Sequence, residues 1–275
     1  MKVDKLLFFY IPATWTFQHW IDSVLPKLAQ HNLATDQDDK VPSDMYLFCE
    51  LLEDRFPIVT KLYDLVGVSR DRLVIDLEAE VEAKELHYPC NAPPLHPYLW
   101  QSGQRIMGIK HRPLRERHRI VYFSRTPGVG GLAGNGGRIV LNEKELLDAI
   151  RQLISTEPKL RHMQLDIYAH SDEESIRDRV DYFSYARALI GPHGGALTNL
   201  AFAGCDTLVL ELFPLTEDKL SSVGHPGLMY YIQSTMLKMN YWMVTAQCDN
   251  NETCNAVYDI GRIIGILRKN LLVDS

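Results

Sequence analysis

The sequence predicts an α/β protein built as two alternating halves, and three observations carry that prediction. Short, solid apolar runs such as Leu6-Leu7-Phe8-Phe9-Tyr10-Ile11 and Ile120-Val121-Tyr122-Phe123 read as strands buried on both faces, as in a parallel sheet. Segments with apolar residues three and four apart follow several of these runs and read as helices. The stretch Ala188-Leu189-Ile190-Gly191-Pro192-His193-Gly194-Gly195-Ala196-Leu197-Thr198-Asn199 joins the two signals. Its apolar start is a strand ended by Gly191 and Pro192, and a helix runs from about Gly195 to Ala203, where Gly204 stops it. Thr207 to Leu212 is the next strand, so the simplest reading is a right-handed βαβ unit with parallel strands. Ligands of such units bind beyond the carboxyl ends of the strands, where His193 and Glu211 fall. Free N–H groups at the helix start suit a phosphate there.

The chain has 275 residues, 46% hydrophobic and 23% charged, with a formal net charge of −6. That is a soluble globular composition with room for one large or two medium domains. An acidic chain without a Lys/Arg-rich block argues against a general nucleic-acid or anionic-membrane binder. No apolar run reaches the roughly 18 residues of a spanning helix. Met1 to Pro12 reads as a first strand rather than a signal peptide, because Asp4 interrupts its start and no small-residue cleavage site follows. The five cysteines, Cys49, Cys90, Cys205, Cys248 and Cys254, are an odd, scattered set that points to a reducing compartment and a cytoplasmic protein. Cys248 and Cys254 bracket a polar loop and could in principle bridge, which does not outweigh the missing signal. Asn251-Glu252-Thr253 is a formal glycosylation acceptor, meaningful only in a secreted chain. Cys-x-x-Cys, His-Glu-x-x-His and other strong metal spacings are absent.

In the first half, Val3 to Ile11 is the opening strand and Thr14 to Gln18 a loop. The segment from His19 to about His31 is a helix with Trp20, Val24 and Leu28 on one face. His19 and Asp22, three apart, share a helix face, and an imidazole steered by a carboxylate can take a proton from a hydroxyl. Met45 to Leu52 fits strand or helix. Phe56 to Leu65 is helical and closed by Gly67. Arg72 to Asp76 is a short strand whose terminal carboxylate makes Asp76 the second candidate base. Glu78, Glu80, Glu82 and Glu85 form a solvated face. Leu86 to Leu99, with His87, Tyr88, His96, Tyr98 and then Trp100, offers stacking surface for a sugar ring or simply closes the domain.

In the second half, Arg119 to Arg125 is a strand ending in an arginine. The glycine-rich stretch Thr126 to Gly137 lacks the Gly-Lys-Ser/Thr ending of a P-loop, but Arg125 and Arg138 flank it and suit a diphosphate. Glu143 to Ser155 is a helix, Gln164 to Ala169 a strand, and Ser171 with Glu174 a capping box for a helix through Tyr185. His225-Pro226-Gly227 is a loop, Leu228 to Leu237 a helix, Tyr241 to Val244 a strand and Asp259 to Leu271 a final helix.

Several of these pieces, taken together, resemble the family 61-type glycosyltransferases, which include plant xylan-decorating enzymes and the protein O-linked GlcNAc transferase of the secretory pathway. The matching stretches are Phe17-Gln18-His19-Trp20 to Pro26, Tyr122-Phe123-Ser124-Arg125, Arg138-Ile139-Val140-Leu141-Asn142-Glu143, Ala188 to Asn199, and Leu210-Glu211-Leu212-Phe213-Pro214. They occur in the family's order. The resemblance implies a GT-B-like α/β fold of two Rossmann-like domains facing a central cleft, a donor in the C-terminal domain and an inverting mechanism. On that pattern residues 1–112 would bind the acceptor and residues 113–255 the nucleotide sugar, with a helix in 256–275 packing back on the N-terminal domain. Arg125 would meet the donor phosphates; His193, Gly194, Gly195, Thr198 and Asn199 the diphosphate side; and Glu211 the ribose. Gly194-Gly195-Ala196 stands where the family has Gly-Ala-Gly, and the loop from Arg125 to Arg138 is longer and richer in glycine than the family's. The short length without an N-terminal anchor resembles a cytoplasmic viral or bacterial member.

The expected activity is metal-independent transfer of a sugar from a UDP-sugar, with xylose the first choice, to a glycan hydroxyl. N-acetylglucosaminyl and arabinosyl transfer are the nearest alternatives, and a non-catalytic carbohydrate-binding protein is the alternative of another class. An epimerase or dehydrogenase is disfavoured, because the early strand lacks Gly-x-Gly-x-x-Gly and no Tyr-x-x-x-Lys pair occurs.

Overall fold

The computed structural model describes residues 1–9, 14–35, 41–53, 57–89, 96–129, 137–169, 174–216, 228–250 and 252–272. The chain divides into two compact units, Met1–Ile109 with Asp172–Val180, and Lys110–Ser171 with Asp181–Ser275. Each carries its own parallel sheet flanked by helices, an α/β architecture consistent with a GT-B-like fold.

In the first unit the strands β1 (Lys2–Phe8), β2 (Met45–Phe48), β3 (Leu73–Val74) and β4 (Glu82–His87) lie in the order β3-β2-β1-β4, all parallel. The crossover after β1 starts with α1 (Phe17–His19), widens into a π-helical turn (Trp20–Val24) and continues as α2 (Leu25–Ala34). Pro26 accounts for the widening. It has no N–H to give the carbonyl four residues back, and its ring crowds that carbonyl. The turn before it therefore closes over five residues, with Leu25 N–H donating to the Trp20 carbonyl. Trp20, Val24 and Leu28 are all fully buried, the face that their spacing predicts. Helix α3 (Pro57–Leu65) places Tyr63 edge-on to Trp20 with ring centroids 5.5 Å apart. Helix α4 (Pro97–Ile106) packs closely on α2, because a Cβ on Gly103 would lie only 2.8 Å from Leu25 Cγ.

Three expectations change in this unit. Glu82 and Glu85 lie within an edge strand, β4, and not merely on a solvated face. Its sequence Glu-Ala-Lys-Glu-Leu-His shows no apolar face, so its pairing with β1 has no signature in hydrophobic periodicity. The end of the Leu86–Leu99 stretch opens α4, whose Tyr98 N–H donates to His96 Nδ1 at 3.1 Å. Trp100 is core and offers no sugar platform.

The second unit holds β5 (Arg119–Phe123), β6 (Gln164–Tyr168), β7 (Ala186–Pro192), β8 (Leu208–Leu215) and β9 (Asn240–Gln247), in the order β6-β5-β7-β8-β9 and again parallel throughout. The central strands β5, β7 and β8 are buried almost end to end, which accounts for their unbroken apolar runs. Helix α5 (Glu143–Thr156) and the last helix, α8 (Ile260–Leu271), pack on one face, where Leu146, Ile150, Ile263 and Leu267 meet Ile120, Ala188 and Leu210. Helix α6 (Ile176–Ser184) brings Phe183 to Phe123 and Phe202 on the other. Helix α7 (Leu228–Met236) joins β8 to β9.

Helix α8 belongs to this core, where Ile263, Ile266, Leu267 and Leu271 are buried with residues of α5. The segment after β7 is a 3-10 helix (Gly195–Phe202), tighter than the helix expected. Helix α6 begins later than the capping box implied; Ser171 lies outside the described residues, and the Ser175 hydroxyl accepts from Arg177 N–H at 3.2 Å instead. Glu174 pairs with Arg179, 3.0 Å away. Cys248 and Cys254 form a disulfide, which removes that pair from the reduced set expected. Asn251 and the loop His225-Pro226-Gly227 lie outside the described residues. Among the described residues no helix is long and apolar enough to cross a membrane.

Candidate active site

In the strand order of the second unit, the chain moves from β5 to β6 on one side and then returns to β7 on the other. The crevice between the carboxyl ends of β5 and β7 is therefore the topological switch point, where doubly wound sheets bind ligands. Ser124 and Arg125 leave β5 there, and His193 and Gly194 leave β7. The two ends touch, since a Cβ on Gly194 would lie 2.5 Å from Arg125 Nη1, so the guanidinium rests against the glycine Cα.

The arginine is held from behind. Its Nε donates to the Gly137 carbonyl at 2.8 Å. Ser124 donates to the buried carboxylate of Glu143 at 2.9 Å, as does the Tyr122 hydroxyl at 3.0 Å. Glu143 opens α5, where a carboxylate is favoured by the helix dipole. Arg138 follows Gly137 with a left-handed backbone (φ 57°), and its N–H donates to the Thr253 carbonyl at 2.7 Å. Both guanidinium groups are half-buried. Burial, then the charge of Arg138, push the Arg125 pKa down to about 10, and burial lowers that of Arg138. Both stay cationic at neutral pH, so the crevice carries two adjacent positive charges in a partly dry setting that favours an anion.

On the other side His193, Glu211 and Tyr241 form a hydrogen-bonded chain that runs from the end of β7 across β8 to β9, with Tyr241 half-buried. Gly191 pairs with Glu211, and Glu211 with Met243, so His193 and Tyr241 stand on the two diagonals of Glu211. His193 Nδ1 hydrogen-bonds one Glu211 oxygen, and the Tyr241 hydroxyl donates to the other. Glu211 is fully buried, and both of its oxygens are hydrogen-bonded inside the protein. Burial and the Glu211 charge raise the Tyr241 pKa far above its ordinary value. The imidazole packs edge-on to Phe213 and Tyr230, with centroids 5.1 and 5.6 Å away. Tyr230 also donates to the Gly194 carbonyl at 2.7 Å.

The sequence model of the family Glycosyltransferase 61 matches residues 17–210. The chain belongs to glycosyltransferase family 61. Its reaction class is therefore glycosyl transfer. No match is found among curated proteins. Among the described residues of this family 61 chain, no group of three or more His, Cys, Asp or Glu side chains could hold a metal ion.

The donor-side residues singled out from sequence fall into two groups. Arg125, Arg138, His193, Gly194 and Gly195 gather at the switch point. The first N–H groups of the 3-10 helix, at Gly195 and Ala196, precede its first internal bond, Leu197 N–H to the Gly194 carbonyl at 3.0 Å. Thr198 and Asn199 are buried within that helix, with Asn199 Nδ2 donating to the Ala196 carbonyl at 2.8 Å, so they shape the turn. Tyr230, Tyr241 and the holding role of Glu143 escaped sequence reasoning. A tyrosine in an apolar helix or strand reads as core, and only strand register reveals Tyr241 as a partner of Glu211.

In the first unit His19 Nδ1 lies 3.6 Å from Asp22 Oδ2, and the Thr16 hydroxyl accepts from His19 N–H at 3.4 Å. The Asp22 contact raises the His19 pKa above 6.5 against the opposing effect of burial. Asp76 is exposed past the end of β3, where its Oδ1 accepts from Glu78 N–H at 3.0 Å in a tight turn. His87 bonds His31 at 3.1 Å and Glu85 at 2.7 Å, and those contacts occupy both ring nitrogens.

Proposed function

We propose that the protein is an inverting, metal-independent glycosyltransferase that moves a sugar from a UDP-linked donor to a hydroxyl of a glycan acceptor. The observation that carries this reading is the pair of half-buried guanidinium groups, Arg125 and Arg138, at the switch point beside His193 and the first N–H groups of the 3-10 helix, at Gly195 and Ala196. Charge on a departing diphosphate is met there by fixed donors, the work a divalent cation performs in metal-dependent transferases. His19, steered by Asp22, supplies the base that deprotonates the acceptor as it attacks the anomeric carbon. It is preferred over Asp76, which lies exposed in a tight turn. UDP-xylose is the donor of choice, on the likeness of the sequence to pentose-transferring members.

A screen of UDP-xylose, UDP-arabinose and UDP-N-acetylglucosamine in excess EDTA, scored by UDP release with and without xylo-oligosaccharide, tests the reading. UDP-xylose turnover that survives the chelator is the expected result. Preference for UDP-N-acetylglucosamine would replace the donor, and activity that vanishes with EDTA and returns with manganese would overturn metal independence.

A further inference from the structure

The hydrogen-bonded chain behind His193 has a consequence for the chemistry, which rests on the transferase reading. In a neutral imidazole one nitrogen carries the proton and the other accepts. Nδ1 faces a carboxylate that is fully buried, so Nδ1 is the donor in that contact. Nε2 has no hydrogen-bond partner among the described residues, although the side chain is only 10% exposed. The ring is therefore fixed on one side by a buried carboxylate, with its far nitrogen turned away from it. That far nitrogen belongs to a residue at the switch point, next to the Arg125 guanidinium.

We infer that His193 is the proton donor to the departing diphosphate and that Glu211 and Tyr241 are the positioning residues that keep its ring aimed. As the acceptor oxygen bonds to the anomeric carbon, the bond from that carbon to the β-phosphate oxygen breaks, and its electron pair goes to the oxygen. The Nε2 proton passes to that oxygen, while the acceptor proton goes to the base. The ring then recovers a proton from solvent. The groups facing the ring are Glu211 and Phe213 from β8, with Tyr241 of β9 behind Glu211, and Tyr230 from α7, while the Arg125 guanidinium lies against the neighbouring Gly194. Tyr258, ahead of α8, also feels the Glu211 charge, and Arg138 that of Tyr230. Glu211 is the only carboxylate among them and sets the sign.

The test compares Glu211→Gln and Tyr241→Phe with the unmodified enzyme, measuring kcat against pH and UDP affinity by calorimetry. An acid must be protonated, so its loss marks the alkaline limb of kcat. Glu211→Gln removes the negative charge and moves that alkaline limb to lower pH, with kcat down about 10²-fold. Tyr241→Phe removes a donor that stabilises the carboxylate, so the pair holds its proton more tightly and the limb moves to higher pH, with kcat down about tenfold. A merely structural role would lower both activities without opposite displacements. Nitrogen-15 NMR of the unmodified protein gives a second measurement that needs no variant: Nδ1 should stay protonated across the titration while Nε2 titrates. Limbs that do not move, or a neutral ring protonated at Nε2, overturn the inference. An unmodified enzyme that releases UDP from no sugar nucleotide sinks the transferase reading itself.

Discussion

At the scale of the residue, the base role proposed for His19 makes Asp22 the group that sets its working pH. A base must be neutral, and the carboxylate favours the imidazolium, so the wild-type acid limb of kcat/KM lies above pH 6.5, with the base lost as pH falls through the raised value. Asp22→Asn should move that limb to lower pH and reduce the optimum rate about tenfold through loss of orientation. Because the His19 side chain is 45% exposed, added salt should move the wild-type limb in the same direction, though less. A pH–rate profile that Asp22→Asn leaves in place would remove His19 from the role. The His19–Asp22 pair was legible because three residues along a helix is a contact distance. Glu211 was legible as a polar residue in an apolar strand, but its partners were not. They arrive from β7 and β9, and only the register places a histidine and a tyrosine on its diagonals.

At the scale of the element, Arg138 depends on a two-part clamp. The Cys248–Cys254 disulfide closes a loop whose Thr253 carbonyl accepts from Arg138 N–H, while Asn255 Oδ1 accepts from Ile139 N–H at 2.9 Å and Leu141 N–H donates to the Ala256 carbonyl at 2.8 Å. Gly137 makes the close approach possible. It sits at φ 84°, and a Cβ there would lie 2.1 Å from the Thr253 carbonyl oxygen, a rigid backbone atom. Gly137→Ala should cost roughly 1–3 kcal/mol in urea unfolding, and UDP affinity should fall with it as Arg138 is displaced. Unchanged affinity would separate Arg138 from the anion site. Elements with strong periodicity, such as α5 and α8, were readable from apolar spacing alone. Strand β4 was not, because an exposed edge needs no apolar face; nor was the π-helical turn, which answers to one proline inside an otherwise regular pattern.

At the scale of the whole molecule, strand and helix alternation was enough to foresee two α/β units. Strand order was not readable, because nothing local in β4 says that it lies beside β1 rather than β3. Every pairing between the named strands is parallel. No two neighbours in either sheet can therefore zip together from a tight turn, and β1 cannot meet β4 until a chain reaching to Glu82 has been gathered in. The consequence is one of time. Refolding from urea should proceed over seconds or longer, with a lag or burst phase from partly formed sheets, and its yield should drop as protein concentration rises because unpaired edges aggregate. Stopped-flow fluorescence that shows one concentration-independent phase completed within milliseconds would contradict this. A cell producing the chain would have to shelter each half-built sheet until its last strand left the ribosome.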